Sequence, residues 1–146
     1  ATEAEVGGAM DGLNALGVVP FERIHAVYEQ GVDVFALSCC EAADGDVDGI
    51  PVAILEAMVR GVPVVTAAVG GIPELITHEE NGLLVPPKQP GAFTDALMRL
   101  KDDETLRHRL GRHGRSHVLE NRSVVKHVQR LTQHFSDLLL EHGGQT

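Results

Sequence analysis

The sequence predicts an α/β protein with a Rossmann-like parallel sheet and helices on both faces. Short apolar runs of strand length alternate with segments that have the 3.6-residue period of a helix. Glycines and prolines stand between these segments, where chain reversals are expected. In the candidate strand 33–37 the four residues after Asp33 are apolar without alternation, which is typical of a strand covered on both faces.

The first half of the chain holds two candidate strands and one candidate helix. Residues 13–19 form a short apolar run, and Pro20 then opens a helical pattern that Gly31 ends. The strand 33–37 follows, and it leads into a polar loop that continues to Gly49. These segments predict one βαβ unit ahead of the loop.

The second half continues the alternation and then becomes helical. We predict a helix over 51–60, a strand over 63–67, a short helix within 70–76 and a strand over 83–85. Three further helices follow, at about 91–100, 103–119 and 123–141.

Four short strands make a small sheet, and folds of this type normally begin with further βα units. We therefore expect residues 1–146 to be a single partial domain, truncated at its N-terminal side and ending in helices over about 103–141.

Composition restricts the classes of partner. The formal net charge is −9, and the chain has no Trp and one Tyr, which argues against a nucleic-acid-binding protein. Cys39 and Cys40 are adjacent and fit neither a redox pair nor a zinc spacing, so we expect reduced thiols. No apolar run is long enough to span a bilayer. These features predict a cytoplasmic protein.

One carboxylate interrupts an apolar helix. Every residue between Val52 and Val59 is apolar except Glu56, and a carboxylate on such a helix is costly unless it is paired. An ion pair with Arg60, one turn later, is one interpretation. A ligand that binds the carboxylate is the other, and spacing alone leaves both open.

The start of the same helix predicts an anion site. If Pro51 is the first helical residue, the N-cap is Ile50, which has no side-chain oxygen to accept from the free amides. The amides of Val52 and Ala53 are then left for water or a ligand, and Gly49 allows close approach. The helix dipole favours a phosphate there, at the carboxyl end of a parallel strand.

Two metal interpretations compete with this one. Residues 44–49 match the first half of a calcium loop, but its twelfth position is Leu55 instead of the required Glu. His113 and His117 are one helical turn apart, yet spacing fixes no third ligand. We predict no metal site and keep a calcium-binding module as the alternative.

The motif Asp48-x7-Glu56 resembles the E-x7-E signature of group-1 (family-four) retaining glycosyltransferases of the GT-B fold. Gly61-Val62-Pro63-Val64-Val65 continues the likeness, and three more stretches resemble the family in the same order. These stretches are Leu16-Gly17-Val18-Val19-Pro20 with Tyr28, Asp33-Val34-Phe35-Ala36-Leu37-Ser38, and Gly70-Gly71-Ile72-Pro73-Glu74 with Asn81-Gly82-Leu83-Leu84-Val85-Pro86.

The resemblance implies roles for individual residues. It makes Asp48 and Glu56 the catalytic pair, with Glu56 on the ribose hydroxyls of the donor and Asp48 near the transferred sugar. It also implies that a glycine loop closes on the pocket and that backbone amides approach the diphosphate. The implied donor-binding positions are Gly49, Ile50, Pro51, Val52, Gly70 and Gly71.

Two departures from the family pattern matter. Asp48 is one methylene shorter than the usual Glu. The family's basic pair lies upstream of the motif, and Arg23, the only basic residue before Arg60, does not match it. The resemblance also implies an acceptor-binding N-terminal domain, which we expect to be missing from this chain.

The resemblance therefore implies a retaining transfer of sugar from a nucleotide sugar to an acceptor hydroxyl, without a metal cofactor. We expect the chain alone to be inactive, with peripheral membrane association only through the missing domain. A non-catalytic nucleotide- or calcium-binding module is the alternative. The last predicted helix has an apolar stripe that predicts self-association, formed by Val124, Val128, Leu131, Phe135 and Leu138.

Overall fold

A computed structural model describes residues 17–39 and 49–121. The chain divides into two units between Val32 and Asp33. The first unit contains helix α1 (Phe21–Glu29). The described elements of the second unit are β1 (Phe35–Leu37), α2 (Val52–Val59), β2 (Val64–Ala67), α3 (Ile72–Leu75), β3 (Leu83–Val85), α4 (Pro90–Asp102) and α5 (Glu104–Asn121).

The three described strands form a parallel sheet in the order β1-β2-β3. Leu37 pairs with Thr66, and Thr66 pairs with Leu84, so all three strands run to the same carboxyl edge. Strands that alternate with helices and pair in parallel confirm the predicted α/β fold class.

The predicted strand over 13–19 is only partly within the described residues. Residues 17–19 are described and form no strand, and 13–16 lie outside the described part of the chain. Gly17 has φ +61, a left-handed conformation that suits glycine. The predicted helix over 123–141, with its apolar stripe, also lies outside the described residues.

The core beneath the sheet joins strands to the two long helices. Val65 and Leu83 pack with Leu100 of α4 and with Leu106 and Leu110 of α5, and all five are buried. The turn between α4 and α5 is capped, because Asp103 Oδ1 accepts the backbone N–H of Leu106 at 2.8 Å. This cap fixes where α5 starts.

Helix α2 ends as the sequence predicts. Gly61 follows the helix with φ +76, its N–H donates to Met58 O at 2.9 Å, and Val62 N–H donates to Ala57 O at 3.0 Å. These bonds satisfy carbonyls that a helix C-terminus otherwise leaves unpaired.

A buried asparagine shapes the turn before β3. Asn81 is 4% exposed, its Oδ1 accepts the N–H of Thr77 at 2.8 Å, and its Nδ2 donates to Leu75 O at 3.1 Å. The side chain therefore takes the place of backbone partners and links the end of α3 to the start of β3.

Candidate donor site at the start of helix α2

The candidate site lies where β1 leads towards α2. Gly49, Ile50 and Pro51 are described and enter the helix, whereas Asp48 lies outside the described residues. The structure therefore gives a position for Glu56 and for the loop residues, and none for the first member of the predicted pair.

The helix begins one residue later than the sequence predicts. Pro51 is the N-cap, with φ −59 and ψ 128, and α2 starts at Val52. The prediction of Ile50 as N-cap and Pro51 as first helical residue is wrong. The fixed φ of proline suits both the N-cap and the first helical position. The extended ψ of Pro51 decides between them, because it is typical of an N-cap residue. Pro51 O accepts the N–H of Ile54 at 3.0 Å.

Two amides at this helix start have no partner within the described part of the chain. The cap is a proline with no side-chain oxygen, and the described residues supply no acceptor for the N–H groups of Val52 and Ala53. Both side chains are exposed, with Val52 at 69%. A helix start without a side-chain cap among the described residues is a favourable place for water or an anionic ligand.

Glu56 lies partly buried one turn after Val52, on the same face of α2. Arg60 contacts the main chain of Glu56 instead of its carboxylate, because Nη1 donates to Glu56 O at 3.0 Å. No salt bridge found between residues 49–121 includes Glu56. The contacts of the described residues therefore do not support the ion-pair interpretation.

The glycine-rich loop after β2 lies against the loop before α2. A Cβ atom on Gly71 would lie 3.2 Å from Ile50 Cγ1 and 3.5 Å from the carbonyl carbon of Gly49. Gly70 has φ +55, a backbone angle that residues other than glycine rarely adopt. The structure thus brings Gly71 together with Gly49 and Ile50.

A cavity of about 410 Å³ opens at the same carboxyl edge of the sheet. Sequence reasoning missed it, although the residues that follow each strand end could have indicated it. Cys39, which is a free thiol, and Phe93 of α4 contribute to its wall. The lining also includes Ser38, Ala67, Pro86 and Lys88.

The histidines of α5 take part in local hydrogen bonds. The Nδ1 atom of His113 lies 3.1 Å from Glu80 O, and the Nδ1 atom of His117 lies 3.4 Å from Asn121 Nδ2. Among the described residues, no group of three or more His, Cys, Asp or Glu side chains is placed to hold a metal ion. The half calcium loop at 44–49 lies almost wholly outside those residues, and the absence of a metal requirement stays a prediction.

None of the helices in the described residues is long and apolar enough to cross a membrane.

Three parallel strands that alternate with helices give the chain the architecture of a GT-B-type glycosyltransferase domain. The family model of the group 1 glycosyl transferases matches residues 3–117, and the chain belongs to this family. The matched region includes α2, the glycine-rich loop and most of α5.

Curated relatives are glycosyltransferases. The chain is 42% identical over 98 residues to the amylovoran biosynthesis glycosyltransferase AmsK of Erwinia amylovora, covering 67% of this chain and 24% of the relative. It is 33% identical over 112 residues to a GDP-mannose-dependent alpha-(1-6)-phosphatidylinositol monomannoside mannosyltransferase of Mycobacterium tuberculosis, covering 76% of this chain and 29% of the relative. The chain thus spans about a quarter of the length of these relatives.

Solved structures share the fold. Sucrose-phosphate synthase from Thermosynechococcus elongatus aligns with a TM-score of 0.64 and 28% identity, over 81% of this chain and 28% of that one. Anabaena HepE, solved in complex with UDP-glucose, aligns with a TM-score of 0.62 and 25% identity, over 72% of this chain and 27% of that one. These likenesses confirm the predicted family and architecture.

Proposed function

We propose that this chain supplies the nucleotide-sugar donor site of an enzyme that transfers a sugar to an acceptor hydroxyl with retention. The observation that carries the proposal is the start of α2, where the open amides of Val52 and Ala53 stand one turn before the Glu56 carboxylate. Membership of the glycosyltransferase family and the UDP-glucose complex of HepE support it.

The diphosphate of the donor binds the helix start in this proposal. Its negative charge receives hydrogen bonds from the two amides and is favoured by the positive pole of α2. Gly49 leaves room for close approach, because no atom of the described residues lies within 4 Å of where its Cβ would be. A favourable electrostatic site of this kind needs no metal ion.

Glu56 binds the ribose hydroxyls. Four residues of helix rise about 6 Å, so the backbone position of Glu56 lies roughly the width of one sugar ring beyond that of Val52 along the helix axis. An ionised carboxylate accepts two hydroxyl hydrogen bonds, which are stronger than those between neutral groups. The absence of a salt bridge to Glu56 within residues 49–121 keeps both oxygens available for this contact.

The remaining assignments follow the family resemblance. Asp48 contacts hydroxyls of the transferred sugar, and the loop at Gly70 and Gly71 closes the other side of the pocket. The packing of Gly71 on Ile50 supports a shared wall between the two loops.

The chemistry proposed is electrostatic. As the bond between the sugar and the diphosphate breaks, negative charge grows on the leaving oxygen, and donors already aimed at that position stabilise it. In this proposal no side chain is assigned as nucleophile. The acceptor hydroxyl bonds to the sugar carbon from the face that the diphosphate leaves, its proton passes to the departing diphosphate oxygen, and configuration is retained. The adjacent thiols of Cys39 and Cys40 favour a reducing, cytoplasmic location.

In our proposal, sugar transfer to an acceptor needs additional polypeptide that this chain does not supply. The relatives are about four times longer than the matched segment, and the acceptor site is assigned to the part of them not matched here. We therefore expect the chain to bind donor and to transfer nothing on its own.

Titration calorimetry of the chain with UDP-, GDP- and ADP-sugars, and separately with Ca²⁺, tests the proposal. Saturable heat from one nucleotide sugar is expected, without sugar transfer to water or to a test acceptor. Heat from Ca²⁺ with none from any nucleotide sugar would establish the calcium-binding alternative.

A further inference from the structure

Helix α2 is held at the end opposite to the proposed donor groups. The last carbonyls of a helix have no partner within it. Arg115 of α5 donates from Nη1 to the carbonyl oxygen of Val59, the last residue of α2. A side chain of α5 therefore completes the C-terminus of the helix that carries Glu56.

Two glycines bring α5 close enough for this contact. A Cβ on Gly111 would lie 2.1 Å from Gly61 O, and a Cβ on Gly114 would lie 3.4 Å from Met58 Cε. Both positions are buried, so the backbone of α5 lies directly on the end of α2. Because Arg115 follows Gly114 directly, its backbone is held at this contact, and its exposed side chain reaches the carbonyl of Val59.

The charge of Arg115 also acts along α2. A second guanidinium, from Arg60, donates to Glu56 O within the same final turn. Cations at a helix C-terminus interact favourably with its negative pole. An eight-residue helix is about 12 Å long, so partial neutralisation of one pole strengthens the field that an anion experiences at the other.

We propose that Arg115 is a positioning residue for the donor site. It touches no donor atom; it fixes the C-terminus of α2 and thereby the direction of the Val52 and Ala53 amides and of Glu56. The proposal rests on the proposed function of α2, and it assigns to α5 a part in nucleotide affinity.

The chain offers a matched control on the same helix. Arg107 of α5 caps α4 in the same way, donating from Nη1 to Leu100 O at 2.6 Å and to Lys101 O at 2.8 Å. Helix α4 carries none of the proposed donor residues. Arg107→Met removes two carbonyl contacts of α4, Arg115→Met removes one carbonyl contact of α2, and only the second affects the helix of the site.

The experiment compares the full chain and three variants, Arg115→Met, Arg115→Lys and Arg107→Met, by thermal unfolding and by calorimetry with UDP, GDP and ADP. We expect the two methionine variants to lower Tm similarly. Only Arg115→Met should weaken nucleotide binding, by about three- to tenfold, as expected for a contact of about 1 kcal/mol. Arg115→Lys should recover part of the affinity. Equal affinities in Arg115→Met and wild type, or equal losses in Arg107→Met, would overturn the proposal.

Hydrogen exchange separates this proposal from the proposed function. If wild type binds no nucleotide, the proposed function fails, and the amides of α2 still report on its anchoring. Faster exchange in α2 for Arg115→Met than for Arg107→Met is the expected result, and equal exchange contradicts the positioning role. If Arg115→Met does not fold, Arg115→Lys answers the same question, because the lysine side chain is one atom shorter, should reach Val59 O less well and should leave α2 exchanging faster than in wild type.

Discussion

A Cβ atom on Gly111 would lie 2.1 Å from the carbonyl oxygen of Gly61, so α5 and the end of α2 meet backbone to backbone. Gly61 occupies the left-handed position that terminates α2, with φ +76. One contact therefore joins the turn that ends α2 to the helix that covers it. A side chain at Gly111 would block this contact, and a side chain at Gly61 would be strained by the positive φ.

Replacing Gly111 with alanine should destabilise the chain by about 3 kcal/mol or more. The added methyl group would overlap a backbone oxygen, which cannot rotate away as a side chain can, and the overlap outweighs the better helix propensity of alanine. Urea unfolding measures the change. Gly91→Ala is the control, because nothing lies within 4 Å of that position and a neutral or slightly stabilising effect is expected. Equal stability of the two variants would refute the close approach.

Asn81→Ala should cost about 2 kcal/mol of unfolding free energy. The substitution leaves Thr77 N–H and Leu75 O without the partners that a buried side chain provides. Asn121→Ala removes an exposed amide and should change stability by less than about 0.5 kcal/mol. Denaturant titrations of both variants decide the matter, and an unaffected Asn81→Ala protein would contradict this role in the turn.

Thr66→Val should leave stability unchanged or raise it by about 1 kcal/mol. The Thr66 hydroxyl is fully buried in β2, and no acceptor or donor for Oγ1 is found among the described residues. A buried hydroxyl without a partner costs free energy, and valine has nearly the same shape. Thr94→Val, which removes a surface hydroxyl bonded to Pro90 O, is the comparison by thermal unfolding. A large loss of stability in Thr66→Val would show that the hydroxyl is satisfied.

Glu79 should titrate below its ordinary pKa of 4.5. The hydrogen bond from Arg99, followed by the charge of Arg99, lowers the pKa of Glu79. A folded-state pKa below the unfolded value means that the pair stabilises the fold above the unfolded pKa, and that this contribution disappears as the pH falls through the folded pKa. Carbon-detected NMR titration measures the value, and Arg99→Gln should raise it towards 4.5. A pKa that does not respond to this substitution would contradict the pairing.

Sequence periodicity was sufficient for the elements with strong local signals. The apolar runs around Phe35, Val64 and Leu83 are β1, β2 and β3, and Gly61 ends α2 as its position after the helical pattern indicates. The start of α2 was misplaced by one residue, because Pro51 suits both a cap and a first helical position and only the backbone ψ decides between them.

The candidate site was only partly predictable. The open amides and the lone Glu56 are local features, so spacing indicated them. The packing of Gly71 on Ile50 and the anchoring of α2 by Arg115 join residues 21 and 56 positions apart. No helical or strand period links such positions, and only the fold brings them together.

Amide chemical shifts on addition of a nucleotide test the central claim most directly. Nitrogen-15-labelled chain titrated with UDP, GDP and ADP should show saturable shifts that are largest at Val52 and Ala53, and Glu56→Gln should weaken the binding. Saturable binding that leaves these two amides unmoved, or that is unchanged in Glu56→Gln, would contradict the assignment of the start of α2 as the donor site.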